Sequence, residues 1–257
     1  MKNNIKDLFK NGKKSVGTFF ELGSSTAAQC LALSGWDYVI VDNEHGPFDP
    51  DASLDFVRTL KANGTVPFAR AQGTMRADIL KLLDIGAMGI IIPCIKTAEE
   101  VEKIVEYGKY APLGNRGVAC ATGSDFWTTE CAEIGLKNYF DLVNNETLLI
   151  PQCETAECLE SIEEIASIKG VDGIFVGIFD LSAAMGIPGE FNRPEFIAAL
   201  KRIQAVCKKN NKLSIIFAGS AEAAKSYFEL GYDSVTYSMD AMVFIDANKK
   251  IIEAIRP

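Results

Sequence analysis

Polar and charged side chains follow several short apolar runs of the chain, at the point where each run ends. They are Glu44, His45, Arg70, Gln152, Glu154 and Asp180. In an α/β barrel the carboxyl ends of the strands meet on one rim, and barrel enzymes assemble their catalytic groups there. This placement predicts one site that combines carboxylates, a guanidinium and an imidazole.

His45 is the only histidine of the chain and lies in the segment VDNEHGPFD. A single imidazole excludes a zinc site built on several histidines and leaves one base that titrates near neutral pH. A histidine that only caps a turn is the alternative. Asp42 and Glu44 flank His45, and Asp84 ends the helix before the fourth apolar run. We therefore expect a carboxylate to orient the ring and raise its basicity.

Glu154 and Asp180 follow neighbouring apolar runs and offer two carboxylate oxygens to a hard cation such as Mg²⁺ or Mn²⁺. The alternative for Glu154 is a polar residue in the first turn of the following helix. The alternative for Asp180 is a residue that caps a turn. Arg70, in PFARAQ, is placed to hold a carboxylate or to stabilise a developing enolate oxygen. A structural ion pair is the alternative for Arg70.

Lys96, in IPCIKTAEE, is a candidate for a Schiff-base lysine, which would give aldol chemistry without a metal. The segment TAEE begins the next helix, and nothing in the sequence marks Lys96 as desolvated. We therefore favour a solvated residue at a helix start.

Eight short β-rich apolar runs alternate with longer amphipathic segments, which is typical of parallel strands joined by helices. The runs span residues 15–21, 38–41, 67–71, 89–93, 147–152, 173–176, 213–217 and 234–237. Helices are predicted over 78–84, 98–107, 156–168, 194–210 and 221–230. Eight such units predict one (β/α)8 TIM-barrel domain over residues 1–257. A doubly wound open sheet is the alternative, although no G-x-G-x-x-G segment follows the first run.

The segment 110–145 separates the fourth and fifth runs by far more than one helix and contains the glycine-rich piece GNRGVACATGSDFW. Long connections of this kind are usually functional. We expect this segment to overhang the C-terminal mouth of the barrel, where barrel active sites lie.

The composition argues against several classes of protein. The 26 Lys and Arg residues are outnumbered by 34 Asp and Glu, and no basic tract occurs, which argues against binding of nucleic acid phosphates. The N-terminal segment lacks the apolar core of a signal peptide, and the longest apolar stretch, 86–95, is too short to span a bilayer. Seven cysteines without a C-x-x-C pair indicate reduced thiols and a cytoplasmic protein.

Six blocks of the sequence carry a resemblance to a known family. They are WDYVIVDNEHGP (36–47), PFARAQ (67–72), LLDIGAMGIIIPCIKTAEE (82–100), APLGNRGV (111–118), QCET (152–155) and GVDGIFVGIFDLSAAMG (170–186). In this order they resemble the metal-dependent pyruvate aldolases of the HpcH/HpaI family, over nearly the whole chain. The resemblance implies a TIM barrel of the phosphoenolpyruvate/pyruvate type. It also implies reversible cleavage of a 4-hydroxy-2-oxo acid to pyruvate and an aldehyde, through an enolate that a metal ion stabilises.

The same resemblance implies roles for the acid–base residues. His45 looks like the general base that takes the proton of the C4 hydroxyl. Asp84 looks like the carboxylate that raises the basicity of His45, with Asp42 nearby. Arg70 looks like the group that stabilises the enolate.

The resemblance further implies the metal and substrate contacts. Glu154 and Asp180 look like ligands of a divalent metal ion, Mg²⁺ or Mn²⁺, with Co²⁺ as a further option. Gln152, Asp180 and the backbone amide of Phe179 would contact the 2-oxo acid. Because relatives form trimers and hexamers with a C-terminal helix packed on a neighbour, a homo-oligomer is implied as well.

Three departures from the family pattern bear on the choice of substrate. Phe19 stands where many relatives carry tryptophan, Ile178 and Phe179 replace a segment with proline, and 236–240 replaces a smaller segment with glycine. The catalytic set is intact, so the departures concern the aldehyde more than the reaction. Two other functions stay open at this point: a citrate-lyase-like acyl-CoA lyase and a non-catalytic pyruvate-binding module.

Overall fold

The computed structural model of the chain describes residues 2–256 and contains eight parallel strands in one closed barrel, in chain order. The strands are β1 Ser15–Phe20, β2 Tyr38–Asp42, β3 Val66–Arg70, β4 Gly89–Ile92, β5 Leu148–Cys153, β6 Gly173–Val176, β7 Leu213–Ala218 and β8 Ser234–Met239. β1 pairs with β8 and closes the barrel. The prediction of a (β/α)8 barrel is confirmed, and the predicted strand bounds differ from these by at most two residues.

Helices connect the strands and surround them. They are α1 Asn4–Lys10, α2 Ser25–Leu33, α3 Pro50–Ala62, α4 Arg76–Asp84, α5 Ala98–Gly108, α6 Glu130–Ile134, α7 Leu136–Glu146, α8 Ala156–Glu160, α9 Ile162–Ser167, α10 Ile178–Ala184, α11 Pro194–Lys209, α12 Ala221–Glu229 and α13 Asp240–Ile255. A short 3-10 helix, Thr122–Trp127, precedes α6. The helix predicted over 156–168 is interrupted at Ser161, where α8 ends and α9 follows.

Strand side chains alternate between the barrel interior and the layer under the helices. In β4, Ile91 points into the interior cluster, whereas Ile90 and Ile92 pack in the cluster beneath the helices. Both faces of a parallel barrel strand are buried, which explains why the strands read as continuous apolar runs. Full burial of each such side chain contributes about 1.5–3 kcal/mol to folding.

The two ends of the barrel are closed differently. At the N-terminal end, the fully buried Ile5 of α1 belongs to the interior cluster and plugs the barrel. At the C-terminal end, the last side chains of the interior cluster are aromatic rings. Phe19 meets Phe175 edge to face at 6.0 Å between ring centroids and lies 6.2 Å from Phe217. These three rings form an apolar floor beneath the rim.

The long segment between α5 and β5 lies at the N-terminal end of the barrel, so the prediction that it overhangs the mouth is wrong. Helices run antiparallel to the strands, and a segment that follows a helix therefore starts at the opposite end from the mouth. Gly123 packs on the turn after α4, where a Cβ on Gly123 would lie 2.7 Å from the backbone nitrogen of Gly86. The backbones approach closely because both positions are glycine.

The last helix, α13, leaves almost its whole length exposed, and Asp240 at its start is its one buried residue. Its exposed apolar side chains are Met242, Val243, Phe244, Ile245, Ile251, Ile252 and Ile255. Neither α13 nor any other described helix has the length and apolar composition needed to cross a bilayer.

Candidate active site

A cavity of about 280 Å³ opens at the C-terminal rim of the barrel. Phe19, Phe175 and Phe217 form its floor. Its polar lining consists of Glu21, His45, Arg70, Gln152 and Asp180. Five of the predicted site residues line this one space: the strand-end residues His45, Arg70, Gln152 and Asp180, and Phe179.

Arg70 is fixed by a two-bond fork with Asp42. Nε donates to Oδ1 at 2.9 Å, and Nη2 donates to Oδ2 at 2.6 Å. The two residues are Cα partners in the β2–β3 register, so the sheet itself brings them together. Asp42 is fully buried, and an unpaired charge there would be costly. The fork therefore anchors the guanidinium and also neutralises the charge of Asp42.

The guanidinium of Arg70 retains N–H groups for a ligand. Its central carbon lies 4.8 Å from the centroid of the Phe19 ring, which supports one face. Nη1 lies 3.0 Å from Glu44 Oε2, although this oxygen makes no aligned hydrogen bond. Of the five N–H groups of arginine, the fork uses two, and Arg70 lines the cavity. It is thus a preorganised donor at the rim.

Glu154 is buried at the end of β5 with partners for both oxygens. Oε1 accepts the backbone N–H of Cys94 at 2.6 Å, and Oε2 accepts the side-chain amide of Gln152. Gly177 allows this arrangement, because a Cβ there would lie 2.8 Å from Glu154 Oε2 and 3.0 Å from Gln152 Nε2. Two donors hold the carboxylate in place, and the lack of a side chain at Gly177 leaves room for it.

Glu44, Cys94 and Glu154 form a cluster of metal-binding side chains, with one ligand atom of each within 4.8 Å of the others. Burial raises the pKa of the Glu44 carboxyl although Arg70 is adjacent, and the nearby Glu154 adds to this effect. Burial and the two carboxylates likewise raise the pKa of the Cys94 thiol. Asp180 lies outside this cluster but close enough to influence the Cys94 thiol.

One buried acceptor at this rim has no partner among the described residues, the side-chain oxygen Oε1 of Gln152. Glu44 Oε2 also lacks an aligned hydrogen bond, but it is ion-paired with Arg70 Nη1 at 3.0 Å. Buried acceptors are normally satisfied by donors, water or ions. The position of Gln152 Oε1 beside Glu154, in an oxygen-rich cluster, fits a bound divalent cation.

His45 is exposed at the rim, and its ring makes no hydrogen bond with any residue of the described range 2–256. Asp42 Oδ1 instead accepts the backbone N–H groups of Glu44 at 3.1 Å and His45 at 3.4 Å. The expected carboxylate contact with the ring is therefore absent among the described residues, and Asp42, although nearby, does not supply it. Asp42 shapes the backbone turn that carries His45.

Asp84 lies away from His45, contrary to the expected pairing. As the last residue of α4, it is at the N-terminal end of the barrel, whereas His45 follows β2 at the C-terminal end. Its Oδ1 accepts from Arg116 Nη2 at 2.9 Å. Arg116 is buried and also stacks over the Tyr110 ring at 4.7 Å. Within one chain, the direction of α4 separates Asp84 from the rim.

Phe179 and Asp180 occupy the first turn of α10, which begins directly after β6 at Ile178. First-turn N–H groups have no intrahelical acceptor and are open to a ligand. The Phe179 ring packs against Phe191 at 5.3 Å and Phe217 at 5.7 Å. Phe179, one of the residues that differ from the family pattern, thus forms part of the cavity wall.

Lys96 lies outside the cavity. Its backbone N–H binds Glu100 at the start of α5, and its ammonium group is exposed, 3.9 Å from Glu157. The described lining of the cavity contains no lysine. The preferred interpretation of Lys96 as a solvated residue agrees with this position.

Two rim residues went unnoticed in the sequence. Glu21 follows β1 and lines the cavity, and burial and the charge of Asp42 raise the pKa of its carboxyl. Asp240 fixes this end of β1 by accepting the N–H of Glu21 at 2.8 Å and of Leu22 at 3.1 Å. The rule of polar residues after strands would have found Glu21. Cys94 gave no signal, since cysteine is common in apolar runs.

The barrel and its rim of carboxylates around an anchored arginine place the chain among the α/β-barrel enzymes with active sites at the strand ends. The profile of one family, HpcH/HpaI aldolase/citrate lyase, matches residues 15–247. The chain belongs to this family.

Similar proteins align along nearly the whole chain. A hydroxypyruvate/pyruvate aldolase of Sagittula stellata is 32% identical, over 93% of this chain and 92% of the relative. A 4-hydroxy-2-oxo-heptane-1,7-dioate aldolase of Escherichia coli is 29% identical, over 96% of this chain and 92% of the relative. The crystal structure of a HpcH/HpaI family protein from Burkholderia cenocepacia J2315 superposes with a TM-score of 0.91 at 29% identity, over 99% of this chain and 100% of the other.

Proposed function

We propose that the chain is a metal-dependent aldolase that reversibly cleaves a 4-hydroxy-2-oxo acid to pyruvate and an aldehyde. The two relatives named as aldolases of such substrates support this reaction. The observation that carries the proposal is the anchored Arg70, whose remaining N–H groups border a cavity beside His45. An enolate oxygen needs a preorganised donor of this kind.

Glu154 and Asp180 are proposed to hold a divalent cation at the rim, with Mg²⁺, Mn²⁺ and Co²⁺ as candidates. The unpartnered side-chain oxygen of the buried Gln152 supports a cation at this position. When bound, the ion supplies Lewis-acid polarisation of the 2-oxo group and charge stabilisation at its oxygen. Gln152 and the Phe179 backbone N–H are proposed to contact the 2-oxo acid.

In the cleavage direction, His45 removes the proton from the C4 hydroxyl of the substrate. The C3–C4 electron pair moves toward the 2-oxo group, the bond breaks, and C4 leaves as the carbonyl carbon of the aldehyde. Arg70 donates hydrogen bonds to the C2 oxygen, where negative charge develops. Protonation at C3 then gives pyruvate, and the reverse sequence forms the bond.

Two alternatives are less well supported. An acyl-CoA lyase needs a place for the phosphates of the coenzyme, whereas the described cavity lining offers Arg70 as its one strong cation. A module that only binds pyruvate needs no base, yet His45 is present at the rim. Both alternatives predict that free 4-hydroxy-2-oxo acids are not cleaved.

We further propose that the chain acts as one barrel domain and assembles as a cytoplasmic homo-oligomer, a trimer or hexamer. Exposed apolar side chains along α13, among them Phe244 and Ile251, support self-association. Seven free thiols support a reducing compartment.

The test is pyruvate release from a panel of 4-hydroxy-2-oxo acids, followed with a coupled assay on the intact protein. We expect release from at least one substrate, loss of release after chelation, and recovery when Mg²⁺, Mn²⁺ or Co²⁺ is restored. Release that survives chelation contradicts the metal-dependent route. No release with any substrate and metal contradicts the aldolase proposal and favours thioester substrates or a binding role.

A further inference from the structure

Glu21 is a carboxylate of the cavity lining that the proposed reaction steps do not use. It follows β1 directly, and its side chain is only partly exposed. The carboxylate makes no hydrogen bond or ion pair with any residue of the described range 2–256. A carboxylate at the wall of a cavity, with its oxygens still free to accept, is available to a ligand.

The backbone that carries this carboxylate is fixed by Asp240. The side chain of Asp240 is buried, and its two oxygens accept the backbone N–H groups of Glu21 at 2.8 Å and of Leu22 at 3.1 Å. The end of β1 is thus tied to the start of α13. The position from which the Glu21 side chain reaches the cavity is therefore set by the fold.

The strand order places Glu21 across the mouth from the proposed pyruvate contacts. In a closed barrel of eight strands in chain order, β1 and β2 lie opposite β5 and β6. Gln152 in β5 and Asp180 after β6 are proposed to contact the 2-oxo acid, whereas Glu21 and His45 follow β1 and β2. Glu21 also lies close enough to His45 for the two charges to interact. Because His45 acts at the C4 hydroxyl, the remainder of the aldehyde beyond C4 faces the side of the mouth that holds Glu21.

The charges of the cavity favour one kind of aldehyde. Arg70 is the only lysine or arginine in its described lining, and Asp42 and Glu44 already pair with it. Asp180 and Glu21 add negative charge. An aldehyde that ends in a carboxylate would meet Glu21 without a compensating cation, whereas an aldehyde hydroxyl can donate a hydrogen bond to Glu21.

We propose that Glu21 selects the aldehyde of the reaction by accepting hydrogen bonds from its hydroxyl groups and by repelling aldehydes that end in a carboxylate. This inference rests on the proposed function and specifies its second product. The chemical class is a short, neutral, hydroxylated aldehyde, which suits a cavity of about 280 Å³. Phe217 and Met239, which also line the cavity, offer apolar contact to the carbon chain of the aldehyde.

The experiment measures condensation of pyruvate with glyceraldehyde, which is neutral and hydroxylated, and with succinic semialdehyde, which ends in a carboxylate. With a divalent ion supplied, the full-length protein should have the higher kcat/KM for glyceraldehyde. Glu21→Gln removes the charge at nearly constant size. The ratio of the two kcat/KM values, glyceraldehyde over succinic semialdehyde, should fall about 10- to 100-fold, as expected for a hydrogen bond to a charged group. Glu222→Gln, which changes an exposed carboxylate in the first turn of α12 outside the cavity, should leave the ratio unchanged.

The ratio separates selection from a structural role, because a change that only loosens the rim should lower both kcat/KM values alike. An unchanged ratio in Glu21→Gln overturns the role of Glu21, and so does a preference of the intact protein for succinic semialdehyde. Exchange of pyruvate methyl protons with D₂O by the intact protein gives the second readout. Exchange without condensation of either aldehyde overturns this inference alone, whereas the absence of exchange overturns the proposed aldolase with it.

Discussion

Replacing His45 with alanine lowers kcat by about 100- to 10,000-fold, the range that a positioned general base contributes. The affinity for the divalent ion stays unchanged, because His45 serves as a base and not as a ligand. The fold is unaffected as well. His45 is exposed and its ring makes no hydrogen bond within the described chain, and such substitutions change the free energy of unfolding by about 0.5 kcal/mol or less.

Steady-state kinetics of pyruvate release and calorimetric metal binding check this expectation on the same preparation. Added imidazole should restore part of the activity of His45→Ala, because a free base can enter the exposed position. His45→Gln, which keeps a polar side chain without a base, should be as slow as alanine and respond in the same way. Equal losses of turnover and metal affinity would instead identify His45 as a ligand.

Replacing Arg70 with lysine lowers kcat/KM by about 100- to 1,000-fold, comparable to the loss of one donor at an oxyanion site. A lysine ammonium is a compact charge that cannot form the two-bond fork with Asp42 and also present planar N–H groups to the cavity. The charge of the buried Asp42 stays compensated, so the loss of stability should be below the roughly 3–5 kcal/mol expected when one partner of a buried pair is removed.

Kinetics and thermal unfolding of Arg70→Lys separate these two effects. Arg58→Lys is the matched control. Arg58 is exposed on α3, and its ion pair with Asp55, at 3.9 Å, is a weak surface pair. It should retain full activity. Near-normal kcat/KM in Arg70→Lys would show that a point charge suffices and that the anchored fork has no catalytic role.

The strand pattern predicts most of the fold because each barrel strand is buried on both faces. Apolar runs such as 89–93 and 173–176 mark such strands, and the polar residues after them mark the rim. The pattern therefore predicts that His45, Arg70 and Asp180 lie together, and all three line the cavity.

The sequence does not predict the positions of residues that depend on the direction of a helix or on the register of two strands. The segment 110–145 follows a helix, and helices return the chain to the N-terminal end, so it cannot start at the mouth. The same direction carries Asp84, at the end of α4, away from His45. The fork between Asp42 and Arg70 depends on the stagger of β2 against β3, which no single-sequence pattern specifies.

Gln152 illustrates a different limit. The sequence places it at the end of a strand, but the lack of a partner for its side-chain oxygen becomes visible only when the surrounding donors are placed.

The central claim is that this rim generates and stabilises the enolate of pyruvate. Exchange of the pyruvate methyl protons with D₂O, followed by proton NMR, tests it without knowledge of the aldehyde. The account predicts exchange that requires both the protein and a divalent ion and that stops after chelation. Exchange no faster than in protein-free solution, with saturating metal and pyruvate bound, would contradict it.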